Sequence, residues 1–310
     1  MLPPPPPGPP AGQTDLEANQ PGMCFRHPRR EAGRRCTRCG RWACTDCLVQ
    51  ANVGSHCVEC AKAAKPDVKT RAKYWSARQV TLVTFTLMAL NGLVFLYVAA
   101  LDPDSVMSRN VTKGQLELGL HAGVIEHGVP PGLLPDGSVY SADPGQWYRI
   151  LTSGFLHFGI IHLAFNMYLL YMLGQMLEPA IGRIRFGLVY MASLLGGSAG
   201  AMLLEPNGLH GGASGAVFGL MTAAFVGYML RGVNPFTTGI GTTLLLNVVI
   251  TLSIPGISKG GHLGGAVAGA LCGLVVLAPG HKRYPEWMSY AVPAVVAVVS
   301  VITAVYAIQN

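Results

Sequence analysis

Charge is what this 310-residue chain has least of. Only 12% of its residues are Asp, Glu, Lys or Arg, about half the share found in an ordinary soluble domain. Half of the residues are hydrophobic, so the shortage excludes a disordered chain and argues against a single soluble domain. Most of the chain also lacks net charge. Residues 1–78 hold 13 Lys/Arg and 6 Asp/Glu, and residues 79–310 hold 9 of each. The whole net charge of +7 therefore sits in the first quarter, and the long body is neutral. Cysteine divides the same way: seven of the eight lie between Cys24 and Cys60, and the body has only Cys272. The first 22 residues lack an apolar h-region and include Asp15 and Glu17, so no signal peptide is expected. The run Pro3–Pro7 reads as a disordered or polyproline tail.

The body contains seven stretches without a charged residue: Gln79–Leu101, Ile150–Leu177, Phe186–Leu204, Pro206–Leu230, Gly232–Ser258, Gly260–Gly280 and Trp287–Asn310. About 20 helical residues at ~1.5 Å each cover a hydrocarbon core of ~30 Å, so each stretch is long enough for one transmembrane helix. Lys and Arg set the orientation. With the N-terminus inside, the inner loops carry Arg183, Arg185, Arg231, Lys282 and Arg283, and Lys65, Lys69, Arg71, Lys73 and Arg78 precede the first span. The short outer loops carry only Glu205 and Lys259, and the long outer loop balances Arg109, Lys113 and Arg149 with acids. Seven spans then place the C-terminus outside.

Four ligand pairs in the N-terminal region share one spacing: Cys24-x-x-His27, Cys36-x-x-Cys39, Cys44-x-x-Cys47 and Cys57-x-x-Cys60. Two ligands so spaced reach one tetrahedral ion from a tight turn, and eight ligands make two sites. A disulfide framework is the alternative, disfavoured where the region lies in a reducing cytosol. His56 is a spare that can replace Cys57. The spacing resembles a B-box-type zinc finger. That resemblance implies interleaved pairs, with Cys24, His27, Cys44 and Cys47 on one structural Zn2+ and Cys36, Cys39, Cys57 and Cys60 on the other. Forty residues bury little core, so the metals are expected to supply most of the folding energy. Arg26, Arg29, Arg30, Arg34, Arg35, Arg38 and Arg41 make the region basic. This suits a protein partner or anionic headgroups, or reflects only positive-inside bias and solubility; nucleic acid is disfavoured.

Polar groups inside apolar spans are costly and often functional. His157, His162 and Asn166 fall in the second stretch, Ser214 in the fourth and His262 in the sixth. Singly, each has an ordinary role: a membrane serine bonds its own backbone, an asparagine joins helices, and a histidine packs at an interface. Depth sets Ser214 and His262 apart. Each lies 16 residues before its inner boundary, Leu230 and Ala278, so both sit about 24 Å above it at ~1.5 Å per residue. Gly261, Gly265, Gly269 and Gly273 repeat every four residues in the sixth stretch, as Gly215 and Gly219 do in the fourth. Such faces allow helix backbones to approach closely.

Together, Gly212-Ala213-Ser214-Gly215, His262 followed by Gly265 and Gly269, and His157…His162-x-x-x-Asn166 resemble the rhomboid intramembrane serine proteases. Trp147-Tyr148-Arg149 is similar to the tryptophan–arginine element of that family's first outer loop, although here Tyr148 separates the two residues. The resemblance covers about residues 79–280. It implies a Ser214 nucleophile, a His262 general base, an oxyanion site of His162, Asn166 and the Ser214 backbone N–H, and no cofactor for catalysis. The fourth to sixth stretches contain no Asp or Glu, so a dyad is expected, with His262 oriented by packing. Thr238–Ile254, within the fifth stretch, is a candidate lateral gate by the same resemblance.

The chain is thus expected to be an all-α membrane protein with a six-helix rhomboid core and a seventh C-terminal transmembrane helix, preceded by a small zinc-binding domain. The expected divisions are a Pro-rich tail at 1–22, a B-box-like zinc domain at 23–62, a basic linker at 63–78, the protease core at 79–280 and the additional helix at 281–310. The expected function is an intramembrane serine endopeptidase acting on transmembrane proteins in the lipid bilayer. The expected setting is a bacterial plasma membrane, with the N-terminus cytoplasmic and the C-terminus extracellular. The alternatives are a non-catalytic rhomboid-like protein that binds membrane clients, and a transporter with a histidine proton relay. Absence of an intramembrane acid or an inverted repeat counts against the transporter.

Overall fold

The computed structural model describes residues 22–51, 54–63, 81–107, 111–134, 137, 139–278 and 284–310. Nearly all of the expected Pro-rich tail and of the basic linker, Arg109 and the Lys282–Arg283 pair lie outside the described residues. The chain separates into two units, Met1–Arg78 and Gln79–Asn310.

The first unit is built from short antiparallel hairpins: β1 (Gly22–Met23) with β2 (Glu31–Ala32), β3 (Arg34–Arg35) with β4 (Trp42–Ala43), and β5 (Leu48–Gln50) with β6 (Ser55–Cys57), followed by α1 (Val58–Ala63). Its interior is small. Cys24, Ala32, Ala43, Cys44 and Cys47 are buried, with Phe25 and Trp42 packed on them. Arginines stack over both rings, Arg35 on Trp42 and Arg41 on Phe25.

The second unit is mostly helical. Among the described residues, five helices are long and apolar enough to cross a membrane: α2 (Leu82–Leu101), α6 (Ile160–Ile181), α7 (Arg183–Leu204), α10 (Lys259–Val276) and α11 (Met288–Gln309). The fourth and fifth charge-free stretches form shorter helices, α8 (Ser214–Leu230) and α9 (Ile240–Ser253). They span only about 26 Å and 21 Å at ~1.5 Å per residue. The second stretch is also broken. A short α5 (Arg149–Thr152) and a 3-10 turn (Ser153–Phe155) precede Gly159, and α6 starts after it. The outer loop folds into α3 (Lys113–Leu118), α4 (Ala122–His127) and a hairpin of β7 (Val129–Leu133) with β8 (Val139–Ala142). The charge-free rule did not anticipate this hairpin.

Two of the charges that lie within the long helices, Glu178 and Arg185, are held there for identifiable reasons. Glu178 is buried in α6, where it accepts from Val83 N (3.0 Å), Thr84 N (2.8 Å) and Thr84 Oγ1 (2.7 Å). It thereby caps the otherwise unpaired N–H groups at the start of α2. Arg185 lies in α7 and bonds Glu286 and Ser289 at 2.7 Å each, its guanidinium over Tyr290. The turn between α6 and α7 is the single residue Gly182, whose φ of 86° favours glycine.

α7 is the most buried of the five long helices. The core groups Leu170, Leu173, Tyr190, Val217, Leu220 and Met221 from α6, α7 and α8. The seventh stretch, α11, joins a second cluster through Ala304 and Ile308, against Leu120 and Ile125 of the outer loop and Met202 of α7.

Candidate functional site

Two glycine faces fix the helix that carries His262. On one side, a methyl group added to Gly265 would lie 2.0 Å from Gly215 O, and one on Gly269 would lie 2.0 Å from Gly219 O. α10 is therefore in backbone contact with α8 along the four-residue repeat seen in the sequence. On the other side, a methyl on Gly264 would lie 2.2 Å from Gly196 O, and one on Gly260 would lie 2.4 Å from Gly200 O. This second face, against α7, was not read from the sequence, although Gly196 and Gly200 carry the same spacing. Thr222 Oγ1 also donates to Ala266 O across the α8–α10 contact at 2.7 Å.

The top of α10 is capped from outside its own chain segment. Glu205, just past α7, accepts from Ser258 Oγ (2.7 Å) and from the backbone N–H groups of Lys259 and Gly260 (3.3 Å each). Burial pushes the Glu205 carboxyl up, but these hydrogen bonds outweigh it and hold it below the usual carboxylate range. Ser258 Oγ accepts from Gly261 N as the N-cap of α10, and Ser258 O accepts from His262 N. One acid thus anchors the turn from which His262 projects.

Ser214 is the first residue of α8 and is half-buried. The chain leading to it is irregular but paired: Gly212 N donates to Ser153 O at 2.8 Å, and His210 exchanges backbone bonds with Leu120. Non-helical backbone at such a depth is tolerated where it lines a cavity. Gly212 has φ 129°, and a methyl group there would lie 3.0 Å from His162 Nε2 and 3.6 Å from Ser214 Oγ. Both side chains therefore gather round one glycine, which leaves the space between them open.

His162 sits in the first turn of α6. The Phe158 N–H donates to its Nδ1 at 3.4 Å, and the Phe158 ring lies nearly parallel to it. With Nδ1 accepting, the proton of the neutral ring is on Nε2, the nitrogen near Gly212. Asn166, one turn on, is buried and donates one amide hydrogen to His162 O at 2.9 Å, leaving a second. His157 lies in the turn before α6 rather than on it. It is almost wholly buried, edge-on to His162 with ring centroids 5.1 Å apart, and its Nε2 has no partner among the described residues.

The His262 ring stacks on Phe218, centroids 4.2 Å apart and planes at 21°. Phe218 is one turn after Ser214, so the imidazole lies against the α8 face that carries the serine. Ser214 Oγ and His262 are not hydrogen-bonded to each other. Instead His262 Nδ1 is 2.7 Å from Thr251 Oγ1 of α9. Neither Phe218 nor Thr251 was singled out from the sequence.

In the outer loop, Arg149 is fully buried. It donates to Gly119 O (2.8 Å), Leu116 O, Tyr140 Oη (3.1 Å) and Gln146 Oε1 (2.6 and 2.8 Å), holding α3, β8 and the residues around Trp147 together. Trp147 and Tyr148 remain exposed.

In the first unit, the ligand atoms of Cys24, His27, Cys44 and Cys47 lie within 4.8 Å of one another, as do those of Cys36, Cys39, Cys57 and Cys60. His27 Nδ1 is 3.4 Å from both Cys44 Sγ and Cys47 Sγ and 3.9 Å from Cys24 Sγ, and Cys39 Sγ is 3.8 Å from Cys57 Sγ. A tetrahedral ion with Zn–S of about 2.3 Å and Zn–N of about 2.0 Å sets its ligands roughly 3.5–3.8 Å apart, so the donor sets fit. Cys57, rather than His56, joins its cluster. All cysteines among the described residues are free thiols.

Comparison with known proteins matches the Rhomboid domain to residues 144–279, which include His157, His162, Asn166, Ser214 and His262. Rhomboid protease GluP of Bacillus subtilis is 36% identical over 129 residues, covering 40% of this chain and 25% of its own length. RHOMBOID-like protein 4 of Arabidopsis thaliana is 35% identical over 148 residues, covering 46% of this chain and 37% of its own length. A second Bacillus subtilis rhomboid protein, YdcA, is 32% identical over 144 residues, which cover 45% of this chain and 72% of its own. The chain thus spans well under half of the first two relatives and most of the third.

Proposed function

The chain belongs to the rhomboid family, and on that premise we propose that it is an intramembrane serine endopeptidase that hydrolyses peptide bonds in or near the transmembrane segments of membrane proteins. The observation that carries the reading is the His262 ring lying flat on Phe218, one turn from Ser214, on a helix that two glycine faces and the Glu205 cap hold in place.

In this reading Ser214 Oγ attacks the scissile carbonyl and His262 takes its proton, then returns one to the leaving amine. The transfer requires the imidazole and the hydroxyl to close to about 2.6–3.2 Å, a contact that commonly tightens only with substrate bound. The oxyanion forms in the space beside Gly212. Its donors are His162 Nε2–H, the free amide hydrogen of Asn166 and the Ser214 N–H at the start of α8, where the helix dipole adds partial positive charge. No cofactor enters this chemistry. In this reading the substrate segment approaches beside α9, with Thr238–Ile254 as the gate.

We further propose that the first unit binds two structural Zn2+, through Cys24, His27, Cys44 and Cys47 and through Cys36, Cys39, Cys57 and Cys60. The divisions 1–22, 23–62, 63–78, 79–280 and 281–310 serve as tail, zinc domain, linker, protease core and added helix. The loop charges support a cytoplasmic N-terminus and an extracellular C-terminus, and the composition supports a bacterial plasma membrane. A protein partner for the zinc unit fits its exposed arginines.

The test is cleavage of a membrane-embedded reporter by the protein reconstituted in vesicles. Ser214→Ala and His262→Ala are each expected to abolish cleavage while still inserting. If both variants cleave as the parent does, the protease reading is wrong. Binding of the reporter without cleavage by the parent would favour the non-catalytic client-binding alternative.

A further inference from the structure

His262 has no carboxylate to orient it, yet its ring is not held by packing alone. Its Nδ1 is 2.7 Å from Thr251 Oγ1, and Thr251 Oγ1 is in turn 2.7 Å from Asn247 O on the preceding turn of α9. A threonine hydroxyl has one proton to give, and a backbone carbonyl can only accept. If both contacts are hydrogen bonds, the hydroxyl donates to Asn247 O and must accept from Nδ1–H. That order puts the imidazole proton on Nδ1 and leaves the lone pair on Nε2.

We propose that Thr251 is the positioning residue of the active site, fixing the tautomer and orientation of His262 in the way a carboxylate does in a triad. The proposal rests on the protease reading of Ser214 and His262. A neutral hydroxyl suits the setting, because it holds Nδ1–H without placing a charge in the apolar interior. Phe218 fixes the plane of the ring and Thr251 fixes its rotation within that plane, so the two constraints are complementary.

The placement of Thr251 adds a consequence. α9 buries only Gly241 and Thr251, and its remaining residues are half-buried or exposed. Ile240 and Leu244 pack only partly on the core, and Thr251 is the one buried side chain of this helix beyond a glycine; it is also the one that holds the base. His262 is therefore oriented only while α9 is seated, which ties the readiness of the base to the helix beside which substrate enters.

The experiment is steady-state cleavage of the membrane reporter by Thr251→Val and Thr251→Ser in vesicles, with Ser214→Ala alongside. Loss of the hydroxyl in Thr251→Val is expected to lower kcat about three- to tenfold with KM unchanged, and Thr251→Ser is expected to stay within about twofold of the parent. Thr251→Ala, which also lacks the hydroxyl but cannot overpack, is expected to match Thr251→Val. Parental kcat in the Val and Ala variants overturns the proposal. So does an equal fall in the Ser variant, or a change confined to KM. If Ser214→Ala itself still cleaves, the protease reading fails regardless of what the Thr251 variants do.

Discussion

At the scale of single residues, the contacts around His162 and His262 assign each ring proton to one nitrogen. The Phe158 N–H occupies Nδ1 of His162 and so makes Nε2 a donor, pointed at the space that Gly212 leaves open. His162 is thus suited to stabilise an oxyanion and unsuited to act as a base. His162→Ala is expected to lower kcat of reporter cleavage by about 10²–10³-fold, as for loss of one oxyanion donor, with little change in KM. Retention of kcat would remove His162 from the oxyanion site. These polar residues were legible in the sequence because a histidine, asparagine or serine in an apolar run is conspicuous and costly. Thr251 and Phe218 were not. A threonine in a membrane helix ordinarily satisfies itself on its own backbone, and Thr251 does so with Asn247 O while also serving His262. A phenylalanine there reads as core or lipid-facing. Their roles follow from contacts between helices that no local pattern encodes.

At the scale of elements, α10 is gripped from both sides by backbone contact, and that grip keeps His262 level with Ser214. Gly269→Val would drive a side chain into Gly219 O, 2.0 Å from where its first carbon must sit. Overpacking of this kind costs roughly 1–3 kcal/mol or more. The variant is expected to melt at a lower temperature in detergent and to lose cleavage, although no catalytic atom has changed; an unaltered melting temperature and rate would show that the close approach is dispensable. The four-residue glycine repeat made the α8 side of this contact readable. The charge-free rule failed in an instructive way elsewhere. It ended one span before Glu178, yet α6 continues through it to Ile181, where the buried carboxylate serves the otherwise unpaired N–H groups of α2. It also counted residues 206–213 as span, whereas they form the paired irregular approach to Ser214. Hydropathy measures where a segment lies, and cannot tell helix from backbone that lines a cavity.

At the scale of the whole molecule, a unit carrying two Cys/His clusters able to hold metal and a membrane unit share one chain. The first unit has so little apolar interior that its fold is expected to depend on its ions. Metal analysis of the purified full-length protein is expected to give about two zinc per chain, falling to about one in Cys57→Ser and remaining at two in His56→Ala. Loss of metal in His56→Ala instead would reassign that ligand. Chelation is expected to make the region around residues 22–63 protease-sensitive while reporter cleavage in the membrane unit persists. The spacing of the eight ligands made this unit readable, whereas the long outer loop, organised by buried Arg149 and the β7–β8 hairpin, carried no comparable periodic signal.

In the proposed function, everything turns on activation of Ser214 as a nucleophile by the imidazole of His262. The most direct measurement is covalent labelling of the vesicle-embedded protein with a fluorophosphonate probe, followed by peptide mass spectrometry. One adduct per chain is expected, on Ser214, absent from Ser214→Ala and strongly slowed in His262→Ala. Labelling on another residue, or a rate on Ser214 indifferent to His262, would contradict it.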